Sequence, residues 1–380
     1  MIYADYNGSA PICKDVKEYL IKRLNEGPFA NPNAIHHLGS KVLMAMENSR
    51  MVCAKALGAS FKQVIFNSGA TEGLSTAFHS VMTETSKKKI IISGIEHSAT
   101  INTAKYYADE HGCEVCVIKT TPAGIIDLED LKSQINEDTA VVSIMAANNE
   151  TGVIQPYLEI SKLCNEKDVP FICDTTQFIG KTLFNFKTCG ADYAVMSGHK
   201  MGAMTGTGIL LAKEPSKVKP IIIGGGQEGG KRGGTQHYLG YETLAVALNY
   251  FEKNLDNIET LNNKRLDFEK KLKERFSNIV IIGEDSPRLA STTYVAYPGI
   301  HGQAVQIELE SKEIFVTTSS ACSDNEPVTS KVLKAMGVSD DVGRGVVRIS
   351  IGLCSDPSMY DTILEALTAT YEKLAKIKSY

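Results

Sequence analysis

The sequence predicts an α/β fold: a large domain on a mainly parallel central sheet, followed by a smaller α+β C-terminal domain. Three observations carry that expectation. Between residues 60 and 215, short β-branched runs alternate with helix-like segments, the pattern of strands joined by crossovers. From Tyr241 the stretch "YETLAVALNYFEKNLDNIETLNNKRLDFEKKLKERF" reads as long amphipathic helix with one break, leading away from the sheet. Short strand-like runs and helical segments then resume in a different order, and 380 residues at 43% hydrophobic content suffice for two cores.

Five strand-to-loop units build the first domain: "KQVIFNSGATEG", "KKIIISGIEHSAT", "TAVVSIMAANNETG", "VPFICDTTQFIG" and "ADYAVMSGHK". Each ends in a polar cluster, and in open α/β sheets ligands sit beyond the carboxyl ends of the strands. Five such endings predict one shared site. The second domain should use the strands "NIVIIGE", "STTYVAYP", "EIFVTT" and "VVRISIG", with helices near Gln303 to Leu309, Thr329 to Met336 and Met359 to Ile377. The expected division gives residues 14–255 to the large domain and residues 1–13 with 256–380 to the small one.

A net charge of −4 with no long basic run argues against a dedicated nucleic-acid surface, so the expected partner is a small molecule. No stretch approaches the roughly 18 uninterrupted apolar residues of a membrane span, and "MIYADYNGSAP" has neither a basic leader nor an apolar signal core. A cytoplasmic location follows as the expectation. Nine scattered cysteines suit reduced thiols better than a disulfide framework. Cys113 and Cys116 form a C-x-x-C, but in a strand-like run positions three apart face opposite ways, so no metal site is expected.

The glycine-rich "IGGGQEGGKRGGT" mimics two nucleotide motifs and satisfies neither. Gly224, Gly226 and Gly229 follow the sheet pattern instead of opening it, and Arg232 stands where a P-loop needs Ser or Thr. It remains a cationic, donor-rich loop able to touch an anion. "SGATEG" is the better phosphate candidate, because a strand, a glycine turn and a helix start present backbone N–H groups together. Lys200 follows an apolar strand beside His199, and a lysine drawn out of water becomes an amine nucleophile. With Asp174 ending "FICD", the set matches what pyridoxal phosphate requires: a lysine for its aldehyde, a carboxylate for its ring nitrogen and a loop for its phosphate. Cys322 lies in "SSACSDNEPVTS", a polar segment that would bury no thiol, which marks it as a thiol meant to react.

In order along the chain, "DYNGSAP", "SGATEG", "EH", "NNETGVIQP", "DTTQFIGK", "SGHK", "GGGQEGGKRGGT", "SSACS" and "VRISIG" resemble the cysteine desulfurases, a class V aminotransferase group that uses pyridoxal phosphate. The resemblance implies a PLP-dependent transferase of fold type I that converts L-cysteine to L-alanine. It implies that Lys200 carries the cofactor, that His97 stacks on its ring and moves protons, that Asp174 meets the ring nitrogen and Gln177 the ring hydroxyl. Ala70, Thr71, Ser197 and His199 would hold the phosphate, with Thr235 reaching the phosphate of the other subunit of a homodimer. Asn149 and Arg348 would orient the substrate, and Cys322 would take its sulfur as a persulfide. The length of the segment around Cys322 resembles the long-loop branch, which passes sulfur directly to acceptor proteins for iron–sulfur clusters or thiolation. The chain departs from the family pattern at Gly229, where an arginine is expected, and at Ala203 and Met204, in place of Gly-Pro. The competing expectations are another class V enzyme, an aminotransferase or selenocysteine lyase, and a catalytically silent sulfur-relay partner.

Overall fold

The computed structural model describes residues 1–318 and 329–378. Its main sheet has seven strands in the spatial order Val64–Asn67, Gly208–Ala212, Tyr193–Ser197, Phe171–Asp174, Thr139–Met145, Lys89–Ser93 and Glu114–Ile118. Every strand except Gly208–Ala212 runs the same way, since that strand pairs antiparallel on both sides. The five expected units are all present, and their polar endings emerge on one edge. The interior strands are buried on both faces, which explains their continuous Val/Ile runs.

Gly208–Ala212 went unread in the sequence, because a five-residue apolar run after a glycine-rich stretch has no periodicity to declare it. It separates the Val64–Asn67 strand from the rest and still keeps that strand close. A Cβ on Gly208 would lie 2.5 Å from Gly69 Cα, so only glycine lets the Gly69 turn lie against this strand.

The expected break in the long helix falls at residues 254–256, between Tyr238–Lys253 and Asn257–Arg275. The first half packs on the helices Lys14–Glu26 and His37–Ala56, the second on Met359–Lys378. Val346–Ser350, Thr292–Ala296 and Val280–Ile281 form a three-stranded antiparallel sheet, and Ile314–Phe315 pairs with the N-terminal Ile2–Tyr3. Ala4 is fully buried in a core with Leu261, Phe268, Val347 and Ile349. The chain start is therefore anchored to the C-terminal half, which fixes where residues 5 to 8 can reach. The eight cysteines among the described residues are all unpaired. Cys113 Sγ lies 3.7 Å from the Lys87 carbonyl and Cys116 Sγ 3.4 Å from Gln134 Oε1, so the C-x-x-C thiols have separate partners.

Candidate active site

The strand ends converge on a cavity of about 340 Å³. Ala70 and Thr71 reach it from the first unit, His97 from the second, and Asn149 from the third. Asp174 and Gln177 come from the fourth, and Ser197, His199 and Lys200 from the fifth. Arg348 closes it from the C-terminal sheet, so the cavity lies where the two halves of the chain meet.

Lys200 ends the turn Gly198–Lys200 and donates to the backbone carbonyls of Asn7, at 2.8 Å, and Gly8, at 2.6 Å. Burial, reinforced by the Arg348 guanidinium, brings its pKa down to about 8, while Asp5 and Asp174 oppose the shift. His199 is lowered to about 4 by burial and by the neighbouring Lys200 and Lys181, so it is neutral at pH 7. Its Nδ1 lies 3.1 Å from Ser9 Oγ.

The helix Ala70–Met82 opens after Gly69, and the Ala70 N–H donates to Ser197 Oγ at 2.8 Å. The first-turn N–H groups of a helix have no intrahelical acceptor, so this corner offers donors to an anion. Asp174 is 7% exposed, and its Oδ1 accepts from the Thr176 N–H at 3.0 Å. His97 is exposed toward the cavity and caps the helix Ser98–His111, with Nδ1 accepting from the Ala99 N–H at 3.1 Å.

Arg348 donates to the Asn149 carbonyl at 2.9 Å and to Asp5 Oδ1 at 2.5 Å, and its buried Nε has no partner. An orphaned guanidinium N–H is costly unless something arrives to accept it, and a carboxylate is a suitable acceptor.

Thr235 is exposed and lies outside this cavity. Arg232 of the same loop pairs with Glu72 at 3.0 Å. Gly229 takes φ +62°, a conformation that disfavours the arginine expected there. Cys322 lies outside the described residues.

The structure also reveals participants that local pattern did not mark. Asn7 is buried, and its carbonyl accepts from Gln177 Nε2 at 2.9 Å as well as from Lys200. Its Nδ2 donates to the Asn149 carbonyl at 3.2 Å and to Thr292 Oγ1 at 3.0 Å. Its signal was the quoted "DYNGSAP", which carries no residue type suggestive of chemistry. Glu96 is another. It is buried behind His97, where Oε1 accepts from Ser93 Oγ at 2.5 Å and the Met145 N–H at 3.1 Å, while Oε2 has no partner. Burial raises its pKa to about 8, and nearby Asp174 adds to the shift.

A proton held in the folded state and lost in the unfolded one makes stability fall as pH rises. Glu96 should therefore contribute fully below about pH 4.5 and lose its contribution up to about pH 8. Glu96→Gln should remove that slope, leaving urea midpoints at pH 5 and pH 8 closer together than in the parent. Parallel pH dependence in both proteins would contradict a protonated Glu96.

The donor set fits pyridoxal phosphate: a buried amine of lowered pKa, a buried carboxylate in the same cavity and a helix start with a hydroxyl beside it. Fold and cavity together define a pyridoxal phosphate enzyme. A sequence model of the class-V aminotransferases matches residues 2–358. The chain is 33% identical to "Cysteine desulfurase IscS" of Dictyoglomus turgidum, over 100% of this chain and 96% of that one. Among solved structures, a "NIFS-like protein" superposes with TM-score 0.90 at 31% identity, covering 98% of this chain and 100% of the other. A structure titled "SspA in complex with cysteine" gives TM-score 0.81 at 29% identity, covering 92% and 99%. The chain belongs to the class-V aminotransferase family and, within it, to the pyridoxal phosphate-dependent cysteine desulfurases.

Proposed function

We propose that the protein removes sulfur from L-cysteine, releasing L-alanine and leaving the sulfur on Cys322 as a persulfide for an acceptor protein. The observation that carries this reading is the convergence of five strand ends and Arg348 on one cavity around a lysine of lowered pKa. Pyridoxal phosphate, when bound, supplies the electron withdrawal that makes the substrate Cα–H acidic.

The protein's own groups then have distinct tasks. Arg348 and Asn149 hold the substrate carboxylate, so the Cα–H bond is set toward Lys200. Lys200 Nζ takes the Cα proton and later returns one, and the neutral amine fraction that its lowered pKa provides suits both steps. His97 covers the ring and carries protons to and from the substrate thiol. Asp174 supports the ring nitrogen, Gln177 the ring oxygen, and Ala70, Thr71, Ser197 and His199 the phosphate, joined by Thr235 from a second subunit. The Cys322 thiolate attacks the substrate sulfur as the Cβ–S bond breaks. One S–S bond forms, the carbon is reduced to a methyl group, and the two protons end on alanine and the persulfide.

A homodimer is part of this reading. Ile21, Leu24, Ile35, Met44 and Met51 are large apolar residues exposed on the first two helices and the turn between them, and Ile223 precedes the Thr235 loop. That loop is tied to the same region by Asn33 donating to Gln236 at 3.0 Å and Arg50 donating to Glu228 at 2.6 Å. Exposed apolar patches of this kind mark association surfaces. Also part of it are the 14–255 and 1–13/256–380 domains, supported by Ala4 packing in the second core. Iron–sulfur or thiolation pathways and a cytoplasmic location complete the reading. Among the described residues, no helix is long and apolar enough to cross a membrane.

The test is product analysis of the purified, cofactor-loaded protein with L-cysteine and reductant. Alanine and sulfide in equal amounts are expected. 3-Mercaptopyruvate formed in step with amination of an added keto acid, without sulfide, would assign an aminotransferase instead.

A further inference from the structure

Lys181 has an environment that its ordinary role on a protein surface would not produce. It follows Gly180, which takes φ +80° and whose Cβ would lie 2.4 Å from Met201 Cβ, so the turn is closed to other residues and directs Lys181 inward. Its Nζ donates to Asn7 Oδ1 at 2.6 Å and to Gln177 Oε1. No carboxylate pairs with it among the described residues. Burial first, then Lys200 and Arg348, hold its pKa well below the usual lysine range, and Asp5 is the acidic group that opposes them.

The Lys181 amine supplies N–H donors, and here both hydrogen-bond partners are amide oxygens. A primary carboxamide can turn over, exchanging oxygen for NH₂ at little cost unless its neighbours distinguish them. Lys181 makes that distinction for Gln177. With Oε1 turned to Lys181, Nε2 donates one N–H to the Asn7 carbonyl at 2.9 Å, and the second N–H remains for the cavity that Gln177 lines. In the turned-over amide an oxygen would face the cavity and repel another oxygen placed there.

We propose that Lys181 is a positioning residue that locks the Gln177 carboxamide with an N–H toward the ring hydroxyl oxygen of the cofactor, and so sets how readily Lys200 holds its proton there. This rests on the assignment of Gln177 to that oxygen. A hydrogen bond to the anionic oxygen lowers the basicity of the oxygen and of the nitrogen sharing its proton. Losing that bond therefore moves the pH midpoint up.

The experiment compares the parent, Lys181→Met, Gln177→Ala and the double variant as cofactor-loaded proteins. Two quantities are read: the pH midpoint of the absorbance change of the Lys200-bound cofactor, and the cofactor dissociation constant. Melting of the unloaded proteins checks the fold. Lys181→Met should raise the midpoint by about one pH unit and weaken cofactor binding about tenfold. Gln177→Ala should do much the same, the double variant should add little to either, and Lys181→Arg, again a pure donor, should recover the parent midpoint. If Lys181→Met does not fold, Lys181→Gln, whose own amide imposes no orientation, carries the same expectation. A folded variant with unchanged midpoint and affinity, or full additivity with Gln177→Ala, would overturn the proposal. Gln177→Ala without effect on either quantity would overturn it at its base, by removing Gln177 from the ring oxygen.

Discussion

Lys200→Ala should form alanine from L-cysteine more than about a thousandfold more slowly than the parent, a loss of about 4 kcal/mol of transition-state stabilisation. The reason is that two tasks end together: the attachment of the cofactor and the proton transfer at the substrate Cα. Lys200→Arg should be as inactive, because a guanidinium keeps the charge and surrenders the nucleophile. The fold should survive both changes, since Lys200 Nζ is held by the backbone carbonyls of Asn7 and Gly8 and has no carboxylate that its loss would strand. The lowered pKa makes a separate expectation for the unloaded parent. At pH 7.5 a lysine titrating at about 8 is about one-quarter amine, against about one part in a thousand for an ordinary lysine. Capture of pyridoxal phosphate, followed by absorbance, should accelerate with pH up to about 8 and then level off. A rate still climbing at pH 10 would mean that the amine is not shifted, and Lys200→Ala turnover near the parent's would move the chemistry to another residue.

Cys322→Ala should lower alanine formation at least about a hundredfold while leaving cofactor binding and its spectrum as in the parent. The nucleophile attacks sulfur, so its removal leaves every group that prepares the substrate in place and withholds only the acceptor. Thr317 lines the cavity and exchanges backbone hydrogen bonds with Arg348 at 2.7 and 3.4 Å. Cys322 is five residues further on in the sequence. On the other side Ser330 caps the helix Lys331–Ala335 and meets Glu150, the neighbour of Asn149. Without reductant, mass spectrometry after L-cysteine treatment should find one added sulfur on the peptide containing Cys322 in the parent and none in the variant. Equal alanine from both proteins would make Cys322 a bystander and favour a lyase that frees sulfur without a protein acceptor.

These two residues differ in how they could be read. Lys200 was visible because it ends an apolar strand next to His199, and a strand end is where an α/β sheet presents chemistry. The same logic located Asp174, Asn149 and Ser197, and the fold confirms that their strands share an edge. Cys322 was visible for the opposite reason, as a thiol in surroundings too polar to bury it. Arg348 was assigned to the site only through the ordered motifs, since a lone arginine in "VVRISIG" reads equally well as a structural ion pair. The geometry accommodates both roles, with Asp5 on one guanidinium nitrogen and an unpartnered Nε beside it.

The sequence by itself determined the five strand-to-loop units, the shared edge of their polar ends and the residue types that suit pyridoxal phosphate. Those properties are local, written in apolar runs and in the turns that stop them. Tertiary structure alone decided the rest. It inserted Gly208–Ala212 antiparallel into the sheet, and it brought Asn7 within hydrogen-bonding reach of Gln177 and Lys200, 170 and 193 positions away. It also buried Glu96 and Lys181 among groups that shift their protons. Burial and proximity between distant segments set these features. Neither is a property of any short window of sequence, because each depends on which surfaces the finished cores exclude from water.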